Sequence, residues 1–131
     1  MSLSPSSDHD LDVRRKLAAD VVERLAEAGV PAHMATSEGP RVAGAKVEVD
    51  QFDDDAGGVF VDWNASQHLD DRCATALLAN DLDHPAIHLN GAIAQAMRGA
   101  MESILLAGGF HVETSDDEYR PYSLRVISRP I

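Results

Sequence analysis

The apolar residues of this chain switch between two spacings. Val13, Leu17, Val21 and Leu25 recur every four positions, Ala45, Val47 and Val49 every two, and the same two patterns then return in the same order. A four-residue spacing keeps side chains near one side of a helix, whereas a two-residue spacing puts them on one face of a strand. An all-helical bundle and an all-β sandwich are both excluded.

The spacing, read with its punctuation, gives the element order. Residues 1–7 are Ser- and Pro-rich and read as a mobile lead-in, and residues 8–131 read as one α+β domain. Acids at Asp8 and Asp10 suit the positive end of a first helix, which Gly29 and Pro31 bring to a stop near Ala28. Val30 to Ala35 is an optional short strand, confined by Pro31 to an edge or a strand start. Ala45, Val47 and Val49 then alternate with Lys46, Glu48 and Asp50. After the turn from Asp53 to Gly58, Val59, Val61, Trp63 and Ala65 alternate with Phe60, Asp62 and Asn64. These two runs form a hairpin whose register keeps Trp63 inside.

Ser66 caps a second helix with Leu69, Cys73, Ala76 and Leu77 on its stripe, ending near Asn80. Pro85 opens a third, with Leu89, Ile93, Met97, Ala100, Met101 and Ile104 as its apolar face and Gly108-Gly109 as its end. Phe110, Val112 and Thr114, then Tyr122, Leu124 and Val126, make a second hairpin. The order is α-(β)-β-β-α-α-β-β. With one apolar face per strand and one apolar stripe per helix, this predicts an antiparallel sheet of four or five strands with helices packed on one face. With the optional strand, the element order is similar to that of secretion-chaperone-like domains, a similarity that carries no motif.

At 131 residues the chain has the commonest single-domain length. Nineteen alanines and six aromatic residues point to a core built by close backbone approach rather than by bulky side chains. Charge narrows the partners. Eleven Lys and Arg against 22 Asp and Glu give a net charge of −11, and the nine Arg and two Lys are scattered. Phosphate backbones and anionic membrane surfaces are therefore poor partners. A single cysteine makes no internal disulfide, and the first ten residues lack the apolar run of a signal peptide, so the expected location is cytoplasmic.

Candidate sites are few. His68, His84 and His88, with Asp70, Asp71, Asp81 and Asp83, crowd seven metal-ligand types into 21 residues. His84 precedes Pro85, however, which puts it at or outside the helix boundary and off the face of His88. Cap, turn and surface roles are the expected ones. The alternative is a small metal-binding protein or metal-dependent enzyme with a divalent metal on His68, Asp81, His84 and His88, and otherwise no cofactor is implied. The Asp53-Asp54-Asp55 run fails the ligand register of a calcium loop. Gly108-Gly109 closes a helix, whereas a phosphate loop opens one. Cys73 lies on an apolar stripe without a neighbouring base and reads as a structural thiol, and Ser66, Ser103 and Ser123 lie in no nucleophile motif.

The alternation assigns an outer sheet face with Lys46, Glu48, Asp50, Asp62, His111, Glu113, Arg125 and Arg129, and with Phe60 and Ile127 as two apolar exceptions. Large apolar residues amid paired charges resemble the centre and rim of an interface, and a solvated, charge-paired face is the alternative. The expectation is a non-enzymatic protein-interaction module, a homodimer joined through Phe60, Ile127, Arg125 and Arg129. The small residues Gly91, Ala92, Ala94, Ala96, Gly99 and Ala100 are expected to let the third helix approach its own sheet, with close approach to a symmetry mate as the alternative.

Overall fold

The computed structural model describes residues 4–5, 8–35, 41–49, 52–53, 58–114 and 123–128. Three helices, α1 (Asp8–Glu27), α2 (Gln67–Leu78) and α3 (Pro85–Ala107), accompany a five-stranded sheet. The sheet consists of β2 (Ala32–Met34), β3 (Gly44–Val49), β5 (Val59–Asn64), β7 (Leu124–Ser128) and β6 (His111–Thr114), in that spatial order. A separate two-residue ladder pairs β1 (Ser4–Pro5) with β4 (Phe52–Asp53). The class is α+β, as the alternating spacings require.

Local signals place the elements. Gly29 takes a φ of 88° at the end of α1, the left-handed geometry that glycine adopts at least cost. Ser66 accepts the backbone N–H of Leu69 at 3.2 Å and so caps α2, while Pro85 fills the first turn of α3. The first hairpin has the expected register, with Ala45 opposite Trp63, Val47 opposite Val61 and Val49 opposite Val59. The optional strand exists as β2. It runs parallel to β3, which makes the sheet mixed rather than wholly antiparallel. Three residues span only about 10 Å, so the two strands lie side by side over a short length. Gly44 permits this: a Cβ there would lie 2.7 Å from the Pro31 carbonyl oxygen.

One sheet face is covered. Ala45, Val47, Val59, Val61, Leu124 and Val126 meet Leu17, Ala18, Val21 and Leu25 of α1, together with Met101 and Leu105 of α3 and Phe110. Trp63 packs against this core from its edge, half-buried. A smaller cluster joins Ala65, Leu69, Cys73 and Ala86, so α2 rests on the first half of α3 rather than on the sheet.

The helical stripes need correction at their ends. Val13, Leu77 and Leu89 are exposed, as is Ala100, although each lies on an expected apolar face. A step of four residues overshoots a full turn by about 40°, so four such steps carry a stripe well around the helix. In α3, Met101 and Leu105 are turned into the core, and Leu89, three steps earlier than Met101, has rotated out of it.

Candidate functional site

The outer sheet face is polar, and its charges are matched across the strands. Glu48, Phe60, Arg125 and Glu113 form one transverse row, and the Arg125 guanidinium lies 2.7 Å from the Glu113 carboxylate. In the next row Lys46 faces Asp62, and the buried Ser123 donates its hydroxyl to the Asp62 carboxylate. Such a face is stabilised from within, at roughly 0.2–1 kcal/mol per opposed pair, and leaves few groups seeking a partner.

Phe60, expected to stand exposed at the centre of an interface, is only 7% exposed. Glu48 and Arg125 hold the positions directly beside it, about 5 Å away in a paired ladder. Alternation therefore reports which face a side chain takes, and not whether that face is open around it. Ile127 does stand exposed, at 38%, beside the bulge between His111 and Val112. With Phe60 buried, the two-residue apolar patch expected on this face does not form. Arg129 lies outside the described residues.

The histidine-rich region partly converges. A cavity of about 430 Å³ along α2 and the α2–α3 turn is lined by His68, Asp71, Arg72, Thr75, Asp81 and His84 around a floor of Ala76 and Ala79. His88 lies outside it, with its Nε2 3.9 Å from Asp83. His84 is the N-cap of α3, and its Nδ1 accepts the Ala86 N–H at 3.0 Å. That nitrogen is occupied by the helix. Asp71 is engaged in the same local way, its carboxylate accepting from the Gln67 amide at 2.8 Å and its carbonyl from the Thr75 hydroxyl at 3.0 Å. Among the described residues, no three His, Cys, Asp or Glu side chains come together in a group able to hold a metal ion. Cys73 is buried, with its Sγ 3.2 Å from the Ala86 carbonyl oxygen, and acts as a packing contact between α2 and α3.

The most unusual surface carries the small residues of α3 that the sequence assigns to packing on the protein's own sheet. Eleven residues of α3 are exposed, and none of them is Asp, Glu, Lys or Arg. On α1, by contrast, six of the ten exposed residues whose side chains are described are charged: Asp10, Asp12, Arg15, Lys16, Glu23 and Glu27. The two charged residues of α3, Arg98 and Glu102, are half-buried at the border of its outer face. Leu89 and Leu106, 47% and 51% exposed, stand near the ends of that face, with Ala92, Ala96, Gly99 and Ser103 between them.

These small residues do not serve approach to the protein's own sheet, as expected from sequence, because Ala92, Ala96, Gly99 and Ala100 point outward. A Cβ built at Gly99 meets nothing within 4 Å. Glycine inside a helix costs about 1 kcal/mol relative to alanine, and among the described residues nothing crowds this position. The signal was present as the spacing 3-4-3-4-3 from Leu89 to Leu106, masked by the larger side chains of the neighbouring Leu89-Ile93-Met97-Met101 stripe. More exposed leucines, Leu77, Leu78 and Leu82, follow on the last turn of α2 and the connection to α3.

No protein-family model matches the chain, and no curated protein or solved structure is significantly similar to it. Among the described residues, no helix is long and apolar enough to cross a membrane.

Proposed function

We propose that this domain is a non-enzymatic interaction module that works as a homodimer, with the outer face of α3 as its contact surface. The observation that carries the reading is the absence of charge from all eleven exposed positions of α3, in a chain of which a quarter of the residues are charged. Charged side chains are depleted from the centres of interfaces and abundant on free surfaces. A second copy is the occupant we propose. At a net charge of −11, two copies repel through most of their surfaces, and this neutral strip is where they approach at least electrostatic cost. A non-catalytic role agrees with the cavity along α2, where three of the six polar lining residues, Asp71, Thr75 and His84, are engaged with their own helix and turn.

The experiment is a mass measurement against concentration. Sedimentation equilibrium from about 10 μM to about 1 mM should show a monomer–dimer equilibrium in the wild-type chain. Ala96→Glu should shift it to monomer while leaving the circular dichroism spectrum unchanged. A wild-type chain that remains monomeric over the whole range overturns the reading.

A further inference from the structure

We infer that His84 is an acid-sensitive latch: as the neutral imidazole it caps α3 and holds α2 in place, and on protonation it lets α2 loosen from α3. The two consecutive helices are capped by different chemistry. Ser66 accepts the Leu69 N–H at 3.2 Å to start α2, whereas α3 starts on a ring nitrogen, the His84 Nδ1, which accepts the Ala86 N–H at 3.0 Å. The preferred caps are Ser, Thr, Asp and Asn, whose oxygens go on accepting throughout the neutral range. Histidine is the side chain that changes charge there.

An Nδ1 that accepts puts the single proton of the neutral ring on Nε2. A second proton must go to Nδ1, and the imidazolium then has two donors and no acceptor. The Ala86 N–H loses its partner, and a positive charge stands at the positive end of α3. Ala86 is fully buried, and a buried donor without an acceptor is costly. The same residue joins the two helices. Its carbonyl oxygen lies 3.2 Å from the Cys73 Sγ on α2, and it packs with Ala65, Leu69 and Cys73 in the smaller cluster. A shift of the first turn of α3 that gives the Ala86 N–H access to water therefore parts Ala86 from Cys73. The His84 carbonyl still accepts from Ile87 and His88, at 3.0 and 3.4 Å, which keeps the opening local.

The charges around the ring oppose one another. Among the described residues they are His68, Asp71 and Arg72 on α2, Asp81 and Asp83 in the turn, and His88 one turn along α3. The three aspartates favour the imidazolium, whereas Arg72, and His68 and His88 once protonated, disfavour it. All six are exposed, and Asp71 is already engaged by Gln67, so solvent screens their effect. The orphaned N–H of Ala86 then decides the sign. The folded chain resists a proton that the unfolded chain accepts, and the closed form is lost as pH falls.

Labelling of Cys73 reads the latch, because that thiol is buried between the two helices. The rate of reaction with 4,4′-dithiodipyridine is measured from about pH 8 to about pH 5.5, and divided at each pH by the rate of the urea-unfolded chain, which cancels the thiol's own titration. Protection in the wild-type chain should fall about tenfold or more across this range, with the circular dichroism spectrum unchanged. His84→Asn keeps an acceptor that does not titrate, and should hold the wild-type protection of pH 8 throughout. His84→Ala should be weakly protected at every pH, and His68→Gln and His88→Gln should follow the wild-type curve. Wild-type protection that does not change with pH overturns the latch without recourse to any variant. A fall that persists in His84→Asn assigns the effect to another group and overturns it too. Loss of the circular dichroism signal together with protection would mean that acid acts on the whole fold, which also overturns it.

Discussion

Two outer surfaces of this domain invert what their sequences suggest. The sheet face opposite the helices carries an aromatic residue among charges and looks like an interface, yet Phe60 is buried and Arg125 is paired with Glu113. The outer face of α3 looks like the back of a core helix, yet its alanines, Gly99 and both end leucines are open to solvent. A surface is marked for contact less by one large apolar residue than by the absence of charged side chains over the area of a partner.

The largest expected effect would break this contrast at the sheet. Phe60→Ala should cost about 3–5 kcal/mol in urea unfolding, as for other buried aromatics, and Phe60→Asp should cost more. Ile127→Asp should stay within about 0.5 kcal/mol of wild type. If Phe60→Asp folds normally and only the oligomeric state changes, the sheet face is the interface after all.

The next effect lies on α3. Ala96→Glu should weaken self-association at least tenfold, about 1.4 kcal/mol, with unfolding of the single copy changed by less than about 0.5 kcal/mol. An equal loss in both measurements would mean that Ala96 packs inside its own fold.

Gly99→Ala separates the two contributions further. Because the site is open, the substitution should stabilise the isolated domain by about 0.5–1 kcal/mol in dilute solution through helix propensity alone. It should weaken association at high concentration, where the added methyl group meets the partner. Stabilisation in both regimes would remove Gly99 from the contact.

The smallest effect is on the sheet's charge pairs. Arg125→Ala should cost less than about 1 kcal/mol, since the Glu113 side chain is 45% exposed and the pair is screened by solvent. The loss should shrink as salt is added. A loss above about 2 kcal/mol would show that the pair does more than match charge on the surface.

Much of the fold was legible before any coordinates. Element types, the caps at Ser66 and Gly29, Pro85 at the start of α3 and the register of the first hairpin are set by interactions within a few residues, or by one alternating face matched to another. The position of His84 outside its helix, and the burial of Cys73, followed from the same local rules. The candidate surface was less legible. A period reports the angle of a side chain about its own axis, and α3 carries two stripes at different angles, of which the one with larger side chains draws attention.

What the sequence determined by itself is therefore the set of elements and the faces of the strands, because backbone geometry and side-chain spacing are local properties. Only the tertiary structure decided which faces are covered. It set α2 against the first half of α3 and the sheet beneath the second half, turned Leu89 outward and Met101 inward, closed Phe60 on a face that alternation calls polar, and laid β2 parallel to β3. Burial is a relation between a residue and whatever packs above it, and that neighbour comes from elsewhere in the chain.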